Sequence, residues 1–154
     1  MNTAKRTVDF VRWAGVPMRL LVGYGFIEHG FAKLSRGPDI FAGILQQLGM
    51  PLPHLATWLT IGTELVGGVA FLLGAFVAWV SIPMAAVLLG AMLTVHLPYG
   101  FSSVKLLGIS ASGAQFGPVG YELDLLYLAA LLMIAFQSPD PLSIDNLRRR
   151  RLSK

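Results

Sequence analysis

Apolar residues run through this chain in long blocks rather than alternating with polar ones. Leu65 to Val104 holds 40 residues without an Asp, Glu, Lys or Arg, and about 20 apolar residues suffice to cross a bilayer core. Two spans fit there. The break between them falls near Gly74 to Trp79, where Gly precedes Ala75-Phe76 and Trp79 suits the interfacial belt. Upstream, residues 17–34 form another block; Pro17 suits a first helical turn, and Arg19 is close enough to that end to reach back to the headgroups. Downstream, residues 119–137 form a fourth, closed by Pro139 and Pro141, since proline past a helix end cannot continue it. The expected fold is all-α, an integral membrane four-helix bundle forming a single domain over 1–154, with spans near 17–34, 55–74, 79–97 and 119–137.

The connections differ in character. Between the first two spans, Phe41, Ile44, Leu45 and Leu48 share a face opposite Gln46 and Gln47, with Gly49 and Pro51 as terminators, which predicts a short amphipathic helix on the outer surface. Residues 98–118 are rich in Ser and Gly and read as a loop, with 104–109 near the interface. Residues 138–154 form a basic tail suited to anionic lipid.

Composition and charge narrow the function classes. The chain is 55% hydrophobic and 13% charged, against about 25% charged for a soluble domain, so an ordinary cytosolic enzyme is excluded. The net charge of +4 sits mostly at the two ends rather than on one basic face, which argues against a nucleic-acid partner. No cysteine is present, which removes thiolate, disulfide and iron–sulfur chemistry. Lys5, Arg6, Arg12, Arg19, Arg148, Arg149, Arg150, Arg151 and Lys154 fall on the side of the termini, and only Lys33, Arg36 and Lys105 on the other. The positive-inside rule then puts both termini in the cytoplasm. The first apolar run lacks a small-x-small cleavage site and is expected to be retained.

Ionisable residues inside a membrane are costly, at least about 2.5–3.5 kcal/mol each on insertion scales, and each needs a partner or a task. Glu28, His29 and Lys33 fall in the outer half of span one, Glu64 about 15 Å down span two, His96 at the outer end of span three, and Tyr121, Glu122 and Asp124 at the outer start of span four. The inner half is almost wholly apolar apart from Arg19. Glu122 and Asp124, two apart, cannot both face inward; Glu122 is expected in the interior and Asp124 against a neighbouring helix or the interface. Lys33 is expected to snorkel. Gly67 and Gly68, at i+3 and i+4 from Glu64, allow a neighbouring backbone to approach closely. Trp13, Trp58 and Trp79 are read as belt residues.

The stretch from Arg19 to Lys33, RLLVGYGFIEHGFAK, resembles the first helix of the DoxX family of small bacterial membrane proteins. Phe41 to Pro53, Glu64-Leu-Val-Gly-Gly68, and His96 with Gly120-Tyr121-Glu122 resemble that family's later motifs, so the likeness covers about residues 15–137. It implies a four-helix protein of the bacterial cytoplasmic membrane. It also implies a respiratory or redox association, the family taking its name from a subunit linked to a quinol oxidase and to thiosulfate:quinone oxidoreductase. The motif positions it carries are Glu28, His29, Lys33, Glu64, His96, Tyr121 and Glu122.

Three readings follow. The first is a quinone-interacting subunit of a membrane oxidoreductase complex: His29, His96, Glu64 and Glu122 as the proton-handling groups, with Tyr24 and Tyr121 joining His29, Glu64 and His96 around ubiquinone or menaquinone. A partner with flavin, haem or metal would supply electrons. The second places a metal or haem on His29 and His96, with Glu64 or Glu122. The third is non-enzymatic, a membrane scaffold or small-solute carrier whose polar groups fix helix packing, acting alone or as a homo-oligomer.

Overall fold

The computed structural model describes residues 3–153, with side chains from Trp13 onward. Lys154 and the side chains of Lys5, Arg6 and Arg12, all counted above toward the positive-inside bias, lie outside the described residues. Among the described residues, seven α-helices and one hairpin follow in order: α1 (Thr3–Arg36), α2 (Pro38–Gln47), α3 (Pro53–Gly62), α4 (Gly68–Leu73), α5 (Val77–Ala91), β1 (Leu106–Ser110), β2 (Gly113–Phe116), α6 (Glu122–Phe136) and α7 (Ile144–Leu152). A π-helical turn, Thr63–Gly67, joins α3 to α4, and a second, Met92–His96, extends α5 before the short 3-10 turn Leu97–Tyr99. Two continuous rods result, Pro53–Leu73 of 21 residues and Val77–Tyr99 of 23, both long and apolar enough to cross a bilayer. Their outward side chains, among them Leu59, Val66, Trp79 and Ile82, are exposed and apolar, as lipid contact requires and water does not favour.

Gly74 turns one rod into the other. It takes the left-handed conformation (φ 64°) at the end of α4, and Phe76 follows at φ 53° before α5 begins. Side chains from α1, α4, α5 and α6 then meet in one core: Val22, Phe26, Phe71, Met84, Leu131 and Ile134. The backbones of α1 and α4 nearly touch, because a Cβ on Gly23 would come within 2.9 Å of the Gly68 carbonyl oxygen and one on Gly68 within 2.8 Å of the Gly23 oxygen. Gly67 turns toward Met84 instead, so the adjacent glycines serve two neighbouring helices.

Several expectations need correction. The fold is mostly helical but not all-α, because the loop expected at 98–118 contains an antiparallel hairpin, β1 with β2; a short Leu/Ile run does not by itself separate strand from loop. Pro17 lies inside α1 rather than at its start, a position that costs the helix one backbone hydrogen bond. In α2 the expected apolar face divides: Leu45 is buried, together with Ala42, while Ile44 and, just past the helix end, Leu48 are exposed. The end of the chain is not a simple tail: α7 starts at a Ser143 N-cap and is fastened to the Gly74 turn, with Asp145 N–H donating to the Gly74 oxygen at 2.9 Å.

Arg19 departs most from expectation. Rather than reaching for headgroups it is 2% exposed. Its Nε donates to Asp140 Oδ2 at 2.8 Å and its Nη1 to the carbonyl oxygens of Phe71 at 2.9 Å and Leu72. Both carbonyls lie in the last turn of α4, where helix polarity favours a cation, and the Phe71 oxygen also accepts from Gly74 N–H at 3.0 Å.

Candidate functional site

Among the described residues at the end of the molecule opposite Gly74, two polar pairs contain a buried carboxylate. In the first, Lys33 Nζ donates to both oxygens of Glu64, at 2.7 Å and 2.8 Å. Gly30, one turn before Lys33, makes room: a Cβ there would lie 3.0 Å from that of Glu64. The carboxylate is buried and the ammonium also rests 5.2 Å from the Phe41 ring centroid. Lys33 is therefore the partner of Glu64 and not a snorkelling anchor.

In the second pair, His96 Nδ1 lies 2.6 Å from Asp124 Oδ2. Asp124 is buried and His96 is partly exposed. A carboxylate on Nδ1 orients the ring and holds a proton there, leaving Nε2 as the variable atom: an acceptor when the ring is neutral, a donor when it is charged. His29, one turn before Lys33 on α1, has Lys33, Asp124, His96 and Glu28 within electrostatic reach. Its side chain is exposed.

The other expected residues lie around this centre. Glu122 does not occupy the interior; Asp124 does. Glu122 Oε2 accepts from Ser103 N–H at 3.0 Å, and the backbone N–H groups of Gly120, Tyr121 and Glu122 donate to the carbonyls of Ser102, Gly100 and Phe101. A Cβ on Gly120 would sit 2.6 Å from the Phe101 oxygen, so Gly120-Tyr121-Glu122 fastens the 100–103 loop to the start of α6. The Tyr121 ring packs edge-on against Phe101, with centroids 5.7 Å apart. Tyr24 is exposed and its hydroxyl engages Glu28 one turn on. Among the described residues, no three of His, Asp and Glu converge as a metal site would require.

Sequence reasoning missed Tyr127, whose ring meets Phe26 edge-on at 6.0 Å and whose hydroxyl fills the space beside Gly25. It also missed a second polar node at the Gly74 end. There Asp145 accepts from Phe76 N–H and Val77 N–H at 2.9 Å and 3.0 Å. A cavity of about 250 Å³ adjoins Arg19, Gln137, Asp140, Ser143 and Asp145.

Residues 15–97 match the model of the DoxX family. The match includes Tyr24, His29, Lys33, Glu64 and His96; Tyr121, Glu122 and Asp124 lie beyond it. The chain is 28% identical over 141 residues to an uncharacterized membrane protein of Mycobacterium tuberculosis, covering 89% of this chain and 80% of that one. It is 28% identical over 131 residues to an uncharacterized protein of Haemophilus influenzae, covering 84% and 86%. No solved structure matches.

Proposed function

The chain belongs to the DoxX family, and from that premise we propose that it is a multi-pass protein of the bacterial cytoplasmic membrane that binds the ring of a quinone, ubiquinone or menaquinone, at His96. In this reading α1 and α6 join the two apolar rods as a four-span bundle, one domain with both termini in the cytoplasm. The His96 end is then extracytoplasmic, and α7 lies beneath the inner leaflet.

One observation carries the reading: the His96–Asp124 dyad at 2.6 Å, with His29 of α1 within electrostatic reach of both members. Such a dyad is suited to a quinone oxygen because Nε2 can donate to a carbonyl and accept from a quinol hydroxyl, while Asp124 steadies the ring in both states. Both His96 and Glu64 lie in π-helical turns, which occur frequently at functional sites. His96 is partly exposed beside apolar helix surface, so an isoprenoid chain would remain in lipid while the ring reaches the dyad. Interconversion of quinone and quinol moves two electrons and two protons. His96 and His29 handle the protons, and the electrons come from or go to a partner subunit carrying a flavin, haem or metal centre.

Glu64 holds Lys33 in place in this scheme and does not exchange protons. That geometry also favours a second reading, a non-enzymatic scaffold or small-solute carrier, because a carboxylate engaged on both oxygens by Lys33 locks α1 to the Pro53–Leu73 rod. Solvent extraction of the purified protein separates the two. The quinone reading expects bound ubiquinone or menaquinone near one per chain in wild type and its loss in His96→Ala. The scaffold reading expects only the amount carried by bulk lipid in both.

A further inference from the structure

The hairpin between the Val77–Tyr99 rod and α6 has two chemically different faces, and an irregular register produces them. The paired residues are Leu106 with Phe116, Gly108 with Gln115, Ile109 with Ala114 and Ser110 with Gly113, with a bulge between Leu106 and Gly108. Strand side chains alternate between faces, and one extra residue shifts that alternation. Leu106, Ile109, Ala114 and Phe116 therefore share one face, and Gly108, Ser110, Gly113 and Gln115 share the other. The bulged residue, Leu107, packs beside Gly117. On the polar face Ser110 accepts from Gln115 Nε2 at 3.5 Å and bonds Ser112 at 2.8 Å.

The apolar face is bare. Ile109 is 81% exposed and Phe116 61%. An isolated two-stranded hairpin is marginal in water, and residues 106–121 contain no Asp, Glu, Lys or Arg to solvate it. The nearest charge, Lys105, is turned back toward Tyr99, donating to its carbonyl oxygen.

We propose that this hairpin lies in the membrane surface at the His96 end of the molecule, its apolar face on the lipid of that leaflet and its polar face toward water. Continuity identifies the occupant. Along the chain, the exposed apolar residues Leu97, Phe101 and Val104 lead from the Val77–Tyr99 rod into the hairpin, and aromatic residues such as Tyr99 and Phe101 favour that depth. The open strand edges forbid deeper insertion, since unpaired backbone groups are not tolerated in hydrocarbon. The headgroup boundary satisfies both requirements, as it does for amphipathic helices. The placement does not depend on quinone binding.

The absence of native cysteine allows a direct test. Ile109→Cys and Phe116→Cys report the apolar face; Gly108→Cys and Gln115→Cys report the polar one. Each full-length variant is nitroxide-labelled and reconstituted in vesicles of phosphatidylethanolamine and phosphatidylglycerol, and label relaxation is measured with dissolved oxygen and with a water-soluble nickel chelate. The expected result is a several-fold higher oxygen-to-nickel ratio at 109 and 116 than at 108 and 115. Equal access of nickel to all four positions would place the hairpin in water. Protection of 109 and 116 from both reagents would show a protein surface, from a second copy or another chain. Either result overturns the proposal.

Discussion

Arg19 and Asp140, 121 positions apart in the chain, form an ion pair of 2.8 Å with both side chains 2% exposed. Breaking such a pair leaves a buried charge without compensation, whereas replacing both members with apolar residues of similar volume is often tolerated. Asp140→Ala is expected to lower stability by about 3–5 kcal/mol, read by reversible denaturant unfolding in micelles. Arg19→Met with Asp140→Leu should recover most of that loss.

The Gly23–Gly68 crossing sets how closely α1 and α4 approach. Gly68→Val would push its Cβ onto the Gly23 carbonyl, and overpacking of this kind costs about 1–3 kcal/mol. Gly43, in α2, has nothing within 4 Å of where a Cβ would lie; Gly43→Ala should be neutral or stabilising by up to about 1 kcal/mol. Thermal unfolding of the two variants side by side tests the assignment.

Lys33 and Glu64 should be coupled energetically. Lys33→Met strands a buried carboxylate, while Glu64→Gln leaves a lysine closer to the rim, so the lysine variant is expected to lose more stability. A double-mutant cycle should return a coupling of about 1–3 kcal/mol; a value near zero would mean that the pair does not hold the helices together.

Much of this arrangement was legible in the sequence, and the illegible part has a definite cause. The charge-free interval gave the two rods, Gly74 their turn, and Gly67-Gly68 the close helix approach. The facing of polar groups was harder. From Leu125 to Phe136, α6 is apolar on every side apart from Tyr127, because its outward surface is apolar as well. Periodicity then carries no phase, and nothing in that run distinguishes an inward Asp124 from an inward Glu122. Local spacing likewise cannot show that Arg19 meets Asp140 or that Lys33 meets Glu64, since each pair closes only once the helices are stacked.

Asp145 caps α5 by accepting from Phe76 N–H and Val77 N–H, and Arg148 lies over the Phe76 ring at 4.3 Å. Loss of a cap costs about 1 kcal/mol. Asp145→Ala is expected to loosen α7 and speed tryptic cleavage at Arg148–Arg151 in open membrane fragments. An unchanged cleavage rate would show that α7 is held by other contacts.

The most direct measurement of the central claim is saturable binding of a short-chain quinone analogue to the purified protein, compared in wild type, His96→Ala, Asp124→Asn and, away from the dyad, Ser112→Ala. A hydrogen bond involving a charged group contributes about 1.5–3 kcal/mol, so both dyad variants should bind at least about tenfold more weakly, with Ser112→Ala unchanged. Equal affinity in all four proteins, or no saturable binding in wild type, would contradict a quinone site at His96.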